Sequence, residues 1–167
     1  MTGSGRILAV DPSLRGTGFA VLERDNSRIR CPEFGVIRNP PKLTVAACLL
    51  AIHKELTRQI EKHSPSAVAI ESIIYVQSLP TAITMGSARG VVLLAAAQHG
   101  LAINEYAPRK VKLAIVGKGS AQKQQVAFMV RALLGLTVTP PPDAADAIAV
   151  GITHFQSASA LHLRSTK

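Results

Sequence analysis

Ile7-Leu8-Ala9-Val10-Asp11-Pro12-Ser13-Leu14-Arg15-Gly16-Thr17-Gly18-Phe19-Ala20-Val21-Leu22 is the stretch that organises this chain. Its opening is a short apolar run closed by an acid, the pattern of a buried strand that ends at a turn. Residues 11–18 supply that turn with Pro, Ser and Gly, and residues 19–22 resume as a second strand. Arg24-Asp25-Asn26-Ser27 signals a hairpin, and residues 33–38 return as a third strand.

Outward from this meander the period changes. Asn39-Pro40-Pro41 breaks the strand pattern, and Val45, Leu49, Ile52, Leu56 and Ile60 then keep helical spacing within residues 43–63. Ser64-Pro65-Ser66 ends that helix. Residues 67–71 form a fourth strand, again an apolar run closed by an acid, Glu71. A helix is expected over residues 79–99 with Gly100 as its stop, then a fifth strand over 101–106 and a short helix from Pro108 to about Val116. Ser120 is the expected cap of a helix reaching Leu134. The last helix is expected over residues 143–155, after Pro140-Pro141-Pro142, and residues 157–167 as a short, polar, frayed tail. Strands in a meander followed by alternating strands and helices predict an α/β domain with a mixed sheet. Nothing divides the 167 residues, so one domain is expected, over residues 1–156.

Composition narrows the function. Lys and Arg number 19 against 10 Asp and Glu, a net charge of +9. No acid lies between Glu105 and Asp143, whereas Arg109, Lys110, Lys112, Lys118, Lys123 and Arg131 do. A one-signed run of this kind points to a polyanion such as nucleic acid. Trp is absent and aromatics make up 4%, so the core must be aliphatic. Cys31 and Cys48 have no Cys-x-x-Cys spacing and are expected as reduced thiols, one of them in the core. There is no secretory h-region, and the longest uninterrupted apolar run, residues 91–97, is shorter than the ~20 residues of a membrane span. A soluble, cytoplasmic protein with no membrane role is expected.

Against this basic background the acids stand out. Of the four aspartates in the chain, three are Asp11, Asp143 and Asp146. Asp11 and Glu71 end apolar strands, and Asp143 and Asp146, three residues apart, share one face of a helix start. Singly each has an ordinary use: turn former, strand-terminal surface acid, helix cap, partner of the helix dipole. Together they suit a hard divalent cation, because several facing carboxylates are what a two-metal phosphodiester site needs.

Several blocks of the chain resemble the bacterial RuvC-type Holliday-junction resolvases of the ribonuclease H-like superfamily. They are Ile7 to Gly18, Ala69-Ile70-Glu71, Gly86-Ser87-Ala88-Arg89-Gly90-Val91, Glu105-Tyr106-Ala107-Pro108-Arg109-Lys110-Val111-Lys112, Val116-Gly117-Lys118-Gly119-Ser120-Ala121-Gln122-Lys123, Asp143-Ala144-Ala145-Asp146-Ala147 and Ile152-Thr153-His154. The resemblance implies a ribonuclease H-like fold, a five-stranded mixed sheet flanked by helices on both faces. It implies a homodimer that resolves four-way DNA junctions by symmetric nicking, leaving 5′-phosphate and 3′-hydroxyl ends in recombination and repair. Asp11, Glu71, Asp143 and Asp146 become ligands for two Mg²⁺ ions per subunit, for which Mn²⁺ can substitute. Lys112 and Lys123 become lysines beside the reacting phosphate, where they can stabilise developing charge.

Ile74, Tyr75, Arg89, Arg109, Lys110 and Lys118 join Lys112 and Lys123 as expected DNA contacts, and a branch-migration motor of the RuvA/RuvB type becomes an expected partner. Ile74 stands where the family commonly has an aromatic wedge, and Ser13 where it usually has glycine. The Gly86-x-x-x-Gly90 spacing suits close packing, either inside the chain or between two copies. Two other functions fit the same residues: a ribonuclease H-like nuclease acting on structured RNA, and a junction-binding protein that does not cut. His154 has no assigned role.

Overall fold

The computed structural model describes residues 5–26, 28–74, 76 and 78–165, with side chains through Ala158. In chain order the elements are β1 (Gly5–Asp11), β2 (Gly16–Asp25), β3 (Arg28–Arg38), α1 (Val45–His63), β4 (Ala67–Glu71), α2 (Leu79–Gln98), β5 (Ala102–Tyr106), α3 (Pro108–Val116), α4 (Lys123–Leu134) and α5 (Pro142–Ser165). The strands form one sheet in the order β3-β2-β1-β4-β5. β1 pairs antiparallel with β2 and parallel with β4, while β5 adds parallel to β4.

The two-residue period of a strand sorts the side chains into two cores. Ile7, Ala9, Ala20, Leu22, Ala67 and Ala69 face one side and pack with apolar residues of α3, α4 and α5. Leu8, Val10, Phe19, Val21, Val68 and Ile70 face the other and pack with Ile52, Leu56 and Ile60 of α1 and Val92 of α2. Helices therefore cover both faces of a five-stranded mixed sheet, as expected for the ribonuclease H-like fold.

α5 packs onto the sheet with Ala144, Ala145, Ala147, Ala149 and Gly151 buried alongside the larger Ile148, Val150, Ile152 and Phe155. Two glycines set the approach. A Cβ on Gly151 would lie 2.3 Å from Cδ1 of Leu22, and one on Gly18 would lie 1.9 Å from the carbonyl oxygen of Asp143. Neither neighbour of Gly18 can yield cheaply, since the atom in the way is backbone.

Several boundaries differ from expectation, each for a local reason. β2 and β3 extend well past residues 19–22 and 33–38, because backbone pairing runs from Gly16–Arg38 to Asp25–Arg28 through polar residues. α4 starts at Lys123 rather than after Ser120. The Gln122 N–H donates to Gln125 Oε1 at 2.8 Å at this start, while the residues before it turn back through an Ala121 N–H to Lys118 O bond of 3.1 Å. α5 continues to Ser165, so most of the expected frayed tail is helical. Ser13 does not have a positive φ, and the turn there is held by its carbonyl accepting from the Thr17 hydroxyl at 2.5 Å. Cys48 is buried in the core and Cys31 half-buried, both free thiols.

α2 also departs from expectation. It is 20 residues long and holds an 18-residue window of mean hydropathy 1.4, long and apolar enough to cross a membrane by length and composition alone. Ala88, Val92, Ala95 and Ala96 bury one side of it against the sheet. Its outer side keeps Leu79, Ile83 and Leu94 exposed, at 73%, 61% and 52%. Between them Gly86 and Gly90 face open space, with nothing within 4 Å of an added Cβ. The glycine pair is thus not used for packing within the chain.

Gly18→Ala should be among the most damaging single-methyl additions available. We expect a loss of about 3 kcal/mol or more, the upper end for overpacking, read as a fall in the denaturant midpoint. A variant as stable as the parent would mean that β2 and α5 are not in backbone contact.

Candidate active site at the carboxyl ends of β1 and β4

The register of the sheet brings the first two acids together. Val10 pairs with Ile70 across parallel strands, so Asp11 and Glu71 follow side by side at the carboxyl ends. Both share the parity of Ile7, Ala9, Ala67 and Ala69, and so project toward α5 and not toward α1. The N-terminal end of α5 meets them there, with Asp143 in its first turn and Asp146 just after it. A cleft of about 690 Å³ results, lined by Asp11, Glu71, Lys112, Lys123, Asp143 and Asp146 among others.

The electrostatics of the cleft are unfavourable to its own acids. Burial, followed by the charge of Asp146, pushes the Asp11 carboxyl up to about 6. Burial, followed by the charges of Asp11 and Asp146, pushes Glu71 up to about 7. Lys123 partly offsets both shifts, and Lys112 assists at Glu71. Lys123 is the first residue of α4, and its ammonium donates to Asp146 Oδ2 at 2.8 Å, which raises the lysine above its ordinary value.

Residues 7–154 match the family model described as crossover junction endodeoxyribonuclease RuvC. The chain belongs to the RuvC family. It is 54% identical over 156 residues to the crossover junction endodeoxyribonuclease RuvC of Akkermansia muciniphila, covering 93% of each chain. It is 44% identical over 153 residues to the RuvC of Sorangium cellulosum, covering 92% of this chain and 86% of that one. Among solved structures, Thermus thermophilus RuvC in complex with a Holliday junction substrate superposes with a TM-score of 0.86 at 31% identity, covering 93% and 96%.

Membership of the RuvC family carries a general dependence on a divalent metal, and the donor set suits one. All four acids offer hard oxygen ligands, and two of them are half-buried and held less firmly ionised than ordinary carboxylates. Among the described residues, no three His, Cys, Asp or Glu side chains already stand around one point at ligating range. Asp146 is instead turned to Lys123. The fit to a metal therefore rests on donor chemistry and burial.

The six residues assigned to the reaction all line the cleft. The other expected DNA contacts among the described residues do not. Arg89 is ion-paired at 2.5 Å with Glu105, tying α2 to β5. Arg109, Lys110 and Lys118 are exposed beyond the rim, with Arg109 lying against Gly119. Ile74 is 68% exposed in the loop after Glu71, and Tyr75 lies outside the described residues.

The structure adds Arg15, Pro80, Thr81, Thr84 and Met85 to the wall. Arg15 donates to the carbonyls of Pro40 and Leu43 at 2.8 and 3.1 Å, holding the turn after β1 to the approach of α1. Its place in the first motif was the available signal. The start of α2 could have been found from its threonines and its lack of acids.

The metal-free protein should carry a stability penalty from these acids. Their folded values lie above the ordinary carboxylate range, so the folded state holds these protons more tightly than the unfolded chain. The penalty is fully present above about 7 and shrinks as pH falls through about 7 and about 6. At pH 8 in chelator, Asp11→Asn and Glu71→Gln should each raise Tm, by roughly 5 °C. The difference from wild type should vanish below the ordinary carboxylate range. Lower Tm values for both variants at pH 8 would show that the acids are not strained.

Proposed function

We propose that this chain is a crossover junction endodeoxyribonuclease that resolves Holliday junctions by metal-dependent hydrolysis of the phosphodiester backbone in recombination and repair. The observation that carries the reading is the meeting of Asp11, Glu71, Asp143 and Asp146 in one cleft with Lys112 and Lys123 on its wall, in a chain matched to the RuvC family from residue 7 to residue 154.

The cleft is suited to a phosphate in a further way. The N-terminal ends of α2, α3 and α4 contribute Pro80 and Thr81, Pro108, and Lys123 to its lining. None of the three helices has an acid in its first turn. Helix N-termini present free N–H groups and partial positive charge, which favours an anion. Backbone dipoles and lysines would thus hold the phosphate while the acids beneath it hold cations.

The four carboxylates would hold two Mg²⁺ ions, or Mn²⁺ in their place. Held there, such ions would supply activation of the attacking water and stabilisation of the leaving oxygen, for products with a 5′-phosphate and a 3′-hydroxyl. Lys123 and Lys112 then stabilise negative charge gathering on the phosphoryl oxygens. Lys123 would exchange Asp146 for the phosphate when the site is loaded. Ile73 and Ile74, exposed at 38% and 68% beside the cleft, are an apolar edge able to enter a base step without an aromatic ring.

Symmetric nicking needs two clefts in fixed relation. The outer face of α2, with Leu79, Ile83 and Leu94 around Gly86 and Gly90, is the surface best suited to join two copies. Small residues flanked by large ones let helices approach closely. A branch-migration motor of the RuvA/RuvB type belongs to the same reading.

The direct test is incubation of the protein with a labelled mobile four-way junction and Mg²⁺, with a structured RNA as the parallel substrate. Paired nicks in opposing strands of the junction are expected. Asp11→Asn, Glu71→Gln and Asp146→Asn should each slow cutting by about 1,000-fold or more, the scale of losing one element of a catalytic set, with junction affinity in chelator nearly unchanged. Cutting of RNA alone, or junction cutting by these variants at the parental rate, would overturn the assignment. For the dimer, light scattering should give twice the chain mass for the parent and one chain mass for Gly86→Leu/Gly90→Leu. A dimeric double variant would move the interface elsewhere.

A further inference from the structure

His154 has no part in the chemistry above, yet it is a half-buried ionisable group at the inner side of α5. Its Nδ1 lies 2.9 Å from the hydroxyl of Tyr106, and the two rings meet edge to face at 5.9 Å. Burial holds the imidazole below its ordinary value and the phenol above its own. Both groups are therefore neutral at pH 7, and the contact is a hydrogen bond between uncharged partners.

Tyr106 is where three parts of the site join. It is the β5 residue paired with Glu71 across β4 and β5. Its carbonyl accepts from the N–H of Ser72 at 2.9 Å, fixing the first residue after Glu71. The next residue, Ala107, is the N-cap of α3, the helix that carries Lys112 to the cleft. The Lys110 ammonium sits 5.1 Å from the centre of the Tyr106 ring. Phenylalanine would fill the same volume, so packing alone does not call for a hydroxyl here. A hydroxyl bonded to a group on α5 does something packing cannot: it sets the direction of the ring and the rotation of the junction that carries it.

We propose that Tyr106 and His154 are positioning residues whose hydrogen bond locks the β5–α3 junction to α5, so that Glu71 and Lys112 are held in register with Asp143 and Asp146. This rests on the reading of the cleft as a nuclease site. The pair touches no reacting atom and acts through Glu71 and α3.

The test compares Tyr106→Phe, His154→Leu, His154→Asn and the Tyr106→Phe/His154→Leu double variant. Asparagine keeps a polar atom near the place of Nδ1, whereas leucine does not. Single-turnover cutting of a four-way junction should fall about 10-fold in Tyr106→Phe and in His154→Leu, recover to within about 3-fold of the parent in His154→Asn, and fall no further in the double variant. Junction affinity in chelator should stay within about 2-fold throughout, which separates positioning from binding.

A second readout does not depend on cutting. Amide exchange at Ser72 and Val111, whose N–H groups bond to Tyr106 and Ala107, should quicken in Tyr106→Phe more than at the core amides of β1. Parental cutting and parental exchange in Tyr106→Phe would overturn the inference. So would additive losses in the double variant, or rate losses that track Tm alone. If the parent fails to cut junctions, the nuclease reading fails first, and the exchange pattern still decides whether the pair positions the junction.

Discussion

The parallel pairing of β1 with β4 is the constraint on which the rest depends. It is one of two parallel pairings among the described residues, and it aligns two short apolar strands so that each ends in an acid at the same level. Strand parity then leaves those acids no choice of face: they project where α5 lies. A slip of one residue in either strand would send Asp11 or Glu71 toward α1 and away from Asp143 and Asp146. The apolar residues below them, from Ile7 to Val10 and Ala67 to Ile70, are nearly all inaccessible to solvent, and that burial is what forbids the slip.

The same arrangement makes the site costly. A fold optimised for stability alone would not bring the acids of three elements to the mouth of a core. Here the cost is limited by Lys123, by the helix starts that surround the cleft, and by a position at the carboxyl ends of two inner strands, where Asp11 and Glu71 are only half-buried. Burial and mutual repulsion leave Asp11 and Glu71 held less firmly ionised than ordinary carboxylates. Residual strain of this kind is what a divalent cation would relieve on binding, so the poor electrostatics of the cleft and the metal affinity proposed for it are one property.

Much of this was legible in the residues. Apolar runs closed by acids marked β1 and β4, helical spacing marked α1, and the acids and two lysines of the cleft were all named from their motifs. What the residues hid depends on contacts made across the chain. The length of β2 and β3 comes from mutual pairing through polar positions. The start of α4 depends on a glutamine pair, a weaker signal than the serine beside it. Nothing in the neighbourhood of Arg89, an expected DNA contact, signals its ion pair with Glu105, sixteen positions away. The link between Tyr106 and His154 joins residues 48 apart and has no local trace.

α2 presents two different faces along one rod. Pro80, Thr81, Thr84 and Met85 look into the cleft, while Ile83, Gly86, Gly90 and Leu94 look outward. A helix of 20 residues is about 30 Å long and does not bend easily. Two copies joined along the outward face would carry their clefts at a separation and angle dictated by how the helices cross. The spacing of the two cuts on a junction would then be a ruler made of helix packing, readable in the glycines and indifferent to the chemistry of the acids.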